Sequence, residues 1–328
     1  METVRVMGGS PLQGETKIRG SKNAVLPLLA ASVLIQGECV LEHVPAIQDV
    51  EIMTDLLQHL GCRVIVQKDT LIINAEHITE SHLPREAVSR MRSSIILLGP
   101  VLARCEKAVI YQPGGCTIGK RPVDLHVAAL QQMGTKFMIE GERMEAVCNR
   151  LQGCDIRFPF VSVGATQNAI LAAVTARGTT WIRNAAREPE IVTLCNLLRL
   201  AGARISGAGT GTVVVHGVEK LYQVSYTVPA DRIVAGTYMI GTVAAGGTVF
   251  LRGAPWGELR AVSKKLEEIG AVLQKDEQGI RVCAKKRPKS CPFLKTDVYP
   301  GFSTDFAVAY GSLAGEGGRY LYFGGNYF

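Results

Sequence analysis

The chain repeats itself about every 70 residues, and this period limits the folds open to it. The segment from Gly37 to Cys62 opens on a glycine and a strand-like alternation. A turn follows, then a helix, then a second glycine and another strand. Gly178–Ala203 and Gly247–Ala271 do the same. Their apolar positions keep one register: Val50, Met53, Leu57 and Leu60; Ile191, Leu194, Leu198 and Ala201; Leu259, Val262, Leu266 and Ile269. Steps of three and four residues describe one apolar stripe along a helix. A fourth copy runs Val123, His126, Leu130, Met133. The glycines that stop the four helices are Gly61, Gly134, Gly202 and Gly270, separated by 73, 68 and 68 residues. This period exceeds that of solenoid repeats. Each unit carries a second helix rich in small and apolar residues, at Asn23–Val33, Ser94–Ala103, Gln167–Ala176 and Ile233–Ala245. Strands alternating with two helices per unit predict an α/β protein.

Composition narrows the function. Of 328 residues, 47% are hydrophobic and 20% charged, an ordinary globular balance. The longest run with no charge and little polarity, Ala24–Ile35, is interrupted by Pro27 and Ser32 and falls far short of the ~20 residues a membrane span needs. No basic segment followed by an apolar core stands near Met1, so no secretory signal is expected. Nine cysteines without a CxxC pair, and six histidines without HxH or HxxxH spacing, give no metal signature and suit a reducing, cytoplasmic setting. The net charge of +7 suits an anionic partner. The one basic run, Lys285–Lys289, has no interleaved aromatics and reads as a solvated turn.

Pro113–Leu125 is the most unusual segment. Gly114–Lys120 spells GxxxxGK, but Arg121 stands where a P-loop needs a hydroxyl for magnesium, so a nucleoside triphosphatase is rejected. What remains is a glycine-rich loop with the thiol of Cys116, the cations Lys120 and Arg121, and a helix starting near Pro122. Proline suits a first helical turn, and such a turn attracts anions. The electropositive surroundings favour the thiolate of Cys116. Lys22 and Asn23 open the first small-residue helix. A lysine there opposes the helix dipole and requires an anion nearby. Arg90 and Arg92 occupy the same point of the second unit, Ser162, Val163 and Gly164 that of the third, Asp231 and Arg232 that of the fourth. Ser303, Thr304 and Asp305 follow in the fifth. Asp305 reads either as a helix N-cap or as a general base. Gly207–Gly211 looks like a dinucleotide fingerprint but precedes a strand, so it reads as a hairpin turn.

Together the stretches Gly20–Leu28, Arg90–Ile95, Pro113–His126, Val161–Ala169, Asn184–Val192, Gly207–Val213, Asp231–Tyr238 and Pro300–Phe306 resemble the enolpyruvyl transferase family, in its cysteine-loop branch. The resemblance spans residues 4 to 310. It implies an α/β, two-domain, inside-out barrel of βαβαββ repeats, three per domain around a pseudo-threefold axis. It also implies transfer of the enolpyruvyl group of phosphoenolpyruvate to the 3′-hydroxyl of UDP-N-acetylglucosamine, an early step of peptidoglycan synthesis, with no cofactor, metal, nucleic acid, membrane or obligate protein partner. Cys116 resembles the general acid and Asp305 the base. Lys22, Asn23 and Arg121 resemble the phosphoenolpyruvate contacts. Arg92, Arg121, Pro122, Val123, Asp124, Leu125, Ser162, Val163, Gly164, Thr304 and Asp305 resemble the sugar-nucleotide contacts. Ser303 departs from the family's usual proline, and Phe160 from a lysine found in some members. The alternatives are the shikimate-pathway sister enzyme, an RNA-processing relative, and an inactive remnant that at most binds the UDP-sugar.

The resemblance sets domains at 22–229, with three repeats and the cysteine loop, and 230–328. The latter is joined by an N-terminal segment, 1–21, with a strand at Val4–Met7. The repeat places an opening glycine near Gly317 and a closing helix near 340, whereas the sequence stops at Phe328. A truncated or frame-altered tail and an incomplete second domain are therefore expected. Ile233, Met239, Leu259 and Leu266 would then lose part of their packing, leaving residues after 230 loosely ordered and turnover negligible.

Overall fold

A computed structural model describes residues 5, 7–114, 123–284, 288–289, 293–315 and 322–324. Cys116, Arg121, Pro122 and Gly317 lie outside the described residues, as does the basic run at 285–287. The chain divides into two compact units, Gly20–Pro229 and Met1–Arg19 with Ala230–Phe328. Each has its own apolar core, the first drawing on residues from Ala24 to Val228 and the second on Ile18 and residues from Ala235 to Leu313.

In chain order the first strand, β1, is Leu12–Lys17. The first repeat then runs α1 (Lys22–Ser32), β2 (Ile35–Glu42), α2 (Gln48–His59), β3 (Arg63–Gln67) and β4 (Thr70–Asn74). The second runs α3 (Arg85–Arg90), a 3-10 segment (Arg92–Leu97), α4 (Leu98–Cys105), β5 (Lys107–Tyr111), α5 (Asp124–Gln132), β6 (Lys136–Glu140) and β7 (Arg143–Val147). The third runs β8 (Asp155–Arg157), α6 (Val163–Ala173), β9 (Thr179–Arg183), α7 (Pro189–Leu200), β10 (Arg204–Ser206) and β11 (Thr212–His216), and β12 (Leu221–Thr227) follows. The other unit adds α8 (Arg232–Ala245), β13 (Gly247–Arg252), α9 (Arg260–Glu268), β14 (Val272–Lys275), β15 (Gly279–Ala284), β16 (Phe293–Lys295), α10 (Thr304–Gly315) and β17 (Tyr322–Gly324).

The sheets repeat one topology. Their orders are β12-β2-β4-β3, β5-β7-β6, β10-β11-β9-β8 and β1-β13-β15-β14. In each four-stranded sheet the strand after the inner helix pairs parallel with an edge strand, which is β12 for β2, β8 for β9 and β1 for β13, and the other pairs are antiparallel. A lone parallel bridge between His82 and Val109 marks the same edge in the three-stranded sheet. The edge strand of the first sheet comes from β12, almost 200 residues after α1 begins. This return closes the Gly20–Pro229 unit on itself. β16, α10 and β17 repeat the strand–helix–parallel strand opening of the others.

The inner helices explain the small-residue stretches. Every residue of α1 from Ala24 to Ser32, and of α6 from Ala165 to Ala173, is buried. The outer helices bury the stripes read from the sequence: Met53, Leu57, Leu60, Ile191, Leu194, Leu198 and Ala201 are wholly buried. Gly61, Gly134, Gly202 and Gly270 follow their helices with φ between +96° and +104°, the left-handed stop that glycine permits.

Three expectations are corrected. The N-terminal strand lies at Leu12–Lys17, where it pairs with β13, and Met7 is exposed and outside any strand. Val4 and Val6 lie outside the described residues. The α5 helix begins at Asp124, two residues after Pro122. Met239, Leu259 and Leu266 keep their packing and are fully buried, while Ile233 is half-buried. α10 packs on α8, and its Phe306 and Tyr310 join the same core.

Candidate active site

The Gly20–Pro229 unit gathers most of the candidate residues at helix starts. Ser21 caps α1, its hydroxyl accepting the Ala24 N–H at 3.3 Å. Lys22 and Asn23 are therefore held, exposed, in the first turn. Lys22 Nζ lies 3.0 Å from the Asp49 carboxylate of α2. Asp49 thus supplies the anion that a lysine at a helix start requires, a partner the sequence reading missed. Both side chains remain partly exposed, and such a pair contributes little to stability.

In the second repeat Arg92 opens the 3-10 segment, which packs against α1 and α6. Val123 precedes α5, and Asp124 and Leu125 form its first turn. The loop bearing Cys116, Arg121 and Pro122 leaves the described structure after Gly114. A side chain at Gly114 would run into the Ser89 carbonyl, so glycine lets the base of the loop press against α3. In the third repeat Ser162 caps α6, accepting the Ala165 N–H at 3.3 Å, and Val163 and Gly164 follow.

His126 and Asn168 link these elements. Both are buried. The Gly99 N–H donates to Asn168 Oδ1 at 2.7 Å, which fixes the amide's orientation. Asn168 Nδ2 then donates to the Ile95 carbonyl at 3.1 Å and to His126 Nδ1 at 3.0 Å. Since Nδ1 accepts, the proton of the neutral ring sits on Nε2. Nε2 and Cε1 stand 3.3 Å from where a side chain on Gly164 would begin. Only glycine leaves the imidazole edge open beside this turn. Burial pushes the His126 pKa down to about 4, Arg92 pushes it the same way, and Asp124 opposes them. His126 is therefore neutral at pH 7, an N–H donor whose charge does not vary. Arg92, Asp124, His126 and the turn Ser162–Gly164 thus form one neighbourhood. It offers a guanidinium, a hydroxyl, helix-start N–H groups and a fixed imidazole donor, a set suited to a large anion.

The other unit holds Thr304 and Asp305 in the first turn of α10. Asp305 is not the cap. Its N–H donates to Ser303 Oγ at 3.3 Å, and Ser303 Oγ donates to Asp305 Oδ2 at 2.6 Å. Ser303 takes the cap position, which leaves the exposed Asp305 carboxylate oriented at one oxygen and open at the other. The N-cap reading of Asp305 is thereby excluded.

The seven described cysteines are all free thiols. Burial pushes Cys39, Cys62 and Cys195 up to about 12, and raises Cys105, Cys148 and Cys154 as well. Among the described residues no helix is long and apolar enough to cross a membrane.

A family model described as EPSP synthase (3-phosphoshikimate 1-carboxyvinyltransferase) matches residues 6–316. A UDP-N-acetylglucosamine 1-carboxyvinyltransferase 2 of Caldanaerobacter subterraneus subsp. tengcongensis is 41% identical over 305 residues, covering 93% of this chain and 73% of the relative. The solved enolpyruvyl transferase NikO from Streptomyces tendae superposes with a TM-score of 0.84 at 19% identity, covering 94% of this chain and 73% of that one. An EPSP synthase from Acinetobacter baumannii gives 0.69 at 18%, covering 87% and 67%. At these identities the two structures speak for the fold.

Proposed function

Since the chain belongs to the EPSP synthase family of carboxyvinyltransferases, we propose that it transfers the enolpyruvyl group of phosphoenolpyruvate to the 3′-hydroxyl of UDP-N-acetylglucosamine. The single observation that carries this reading is the 41% identity to a relative named for that reaction. The donor-rich neighbourhood of Arg92, His126 and Ser162–Gly164 supports it, because a nucleoside diphosphate sugar brings a diphosphate that needs such donors. The reaction is the first committed step of peptidoglycan synthesis. It therefore belongs to the cytoplasm and serves cell shape and division.

Each residue then has a role. Lys22, Asn23 and Arg121 hold phosphoenolpyruvate, with Lys22 exchanging Asp49 for the substrate anion. Arg92, Arg121, Pro122, Val123, Asp124, Leu125, Ser162, Val163 and Gly164 hold the sugar nucleotide, as do Thr304 and Asp305. Asp305 takes the proton of the 3′-hydroxyl, and the oxygen bonds to C2 of phosphoenolpyruvate. The Cys116 thiol gives its proton to C3. The resulting tetrahedral adduct returns a proton from C3 to the Cys116 thiolate, the bond from C2 to the phosphate oxygen breaks, and the double bond re-forms with release of phosphate. Ser303 positions Asp305 through the hydrogen bond to its carboxylate. His126 positions the diphosphate without changing charge.

Phosphate release by the purified protein tests the reading. Release should require both phosphoenolpyruvate and UDP-N-acetylglucosamine. Release that proceeds with shikimate 3-phosphate and not with the UDP-sugar would assign the chain to the sister activity.

A further inference from the structure

A cleft of about 680 Å³ opens in the Gly20–Pro229 unit among Arg157, Arg183 and Arg187, with Phe158, Asn184 and Thr212 in its walls. None of its lining residues is acidic, and none is among those assigned above to the two substrates. Strand pairing creates it. Arg157 on β8 and Arg183 on β9 are direct neighbours in parallel register, and Thr212 of β11 faces Arg183 from the other side. Like charges in such a pairing destabilise a sheet unless an anion lies between them. Asp155 answers them in part, accepting from Arg183 Nε at 2.8 and 3.0 Å. Arg183 also lies over the Trp181 ring, 5.5 Å from its centroid. Arg157 and Arg187 are exposed and add two further positive charges.

The walls are tied together by backbone. Phe158 N–H donates to the Arg183 carbonyl and Ala185 N–H to the Gly211 carbonyl, both at 3.1 Å. Asn184 Nδ2 donates to the Phe158 carbonyl at 3.1 Å. Three connecting segments that are far apart in sequence are thereby held in one arrangement, with Arg187 Nη2 3.0 Å from where a side chain on Gly211 would begin. Guanidinium groups match phosphoryl oxygens in paired hydrogen bonds, and the volume falls in the ordinary range for a small-molecule site.

We propose that this cleft binds a small phosphorylated anion of the diphosphate class, at a site separate from the substrate residues. Arg157 and Arg187 grip the phosphoryl oxygens, and Arg183, steadied by Asp155 and Trp181, closes the floor. Asp155 competes with the ligand for Arg183, so its charge weakens binding.

The test is calorimetric titration with inorganic pyrophosphate at low and moderate salt, alongside titration with UDP-N-acetylglucosamine. Both arginine side chains are exposed, so the Arg157→Ala/Arg187→Ala variant removes no core contact. It should bind pyrophosphate at least about tenfold more weakly, since two charge-assisted contacts are lost. Asp155→Asn, which keeps the shape, should bind it more tightly. UDP-sugar affinity should be unchanged in both. The proposal is overturned by any of three results: no pyrophosphate binding to the wild type at millimolar concentration, equal affinity in all three proteins, or UDP-sugar affinity falling in parallel with that for pyrophosphate.

Discussion

Single residues carry the chemistry through their surroundings, and two make this measurable. Cys62 and Cys195 are buried, and burial holds their thiols near 12. The sequence sets Cys116 among glycines and next to Lys120 and Arg121, the kind of setting in which thiols are reactive. Limited alkylation followed by mass mapping should therefore label Cys116 first, and first labelling at Cys62 or Cys195 would contradict this. His126 gives a pH signature. Its folded pKa is about 4, below the ordinary value near 6.5. Between these values the unfolded chain takes up a proton that the folded chain does not, so stability falls as pH drops from about 6.5 towards 4. Denaturant titrations at pH 7 and pH 5 should differ by up to about 2 kcal/mol from this residue. His126→Gln should flatten that difference, and an unchanged pH dependence in the variant would remove His126 as its source.

At the scale of elements, the four stop glycines form a natural series. All have φ near +100°, so any other residue there carries about 1–3 kcal/mol of backbone strain. Nothing stands within 4 Å of a side chain added at Gly134 or Gly270, whereas at Gly61 it would meet the His77 carbonyl at 2.7 Å. Thermal melts should show a modest loss for Gly134→Ala and Gly270→Ala and a larger one for Gly61→Ala. Equal losses would mean that backbone strain alone decides. These helices were legible in the sequence because their period and their stops are local. β1 was not, because Leu12–Lys17 is an edge strand with almost every residue exposed and no apolar alternation. The candidate site shows the same division. The cysteine loop, Lys22 and Ser162 stand out as motifs, and their roles came from family resemblance. His126 read as one more member of an apolar stripe, because the amide that makes it a fixed donor lies 42 residues away. Asp49 and the arginine cleft likewise depend on pairings that only the fold creates, whereas the cap at Ser303 is local to Asp305, two residues on.

At the scale of the whole molecule, two units of one repeating topology hold different parts of the proposed site. The Gly20–Pro229 unit carries Lys22, Arg92, His126 and the Ser162 turn, together with the cysteine loop, and the other unit carries Asp305. The chain spans 73% of the length of its UDP-N-acetylglucosamine 1-carboxyvinyltransferase relative. Recognition of the sugar nucleotide is assigned mostly to the first unit, whose three sheets and core are closed by β12. Binding therefore tests the account more directly than turnover does. The decisive measurement is calorimetric titration of the protein with UDP-N-acetylglucosamine and, separately, with shikimate 3-phosphate. The account predicts saturable binding of one UDP-sugar per chain and no binding of shikimate 3-phosphate. Binding of shikimate 3-phosphate with none of the UDP-sugar would contradict it.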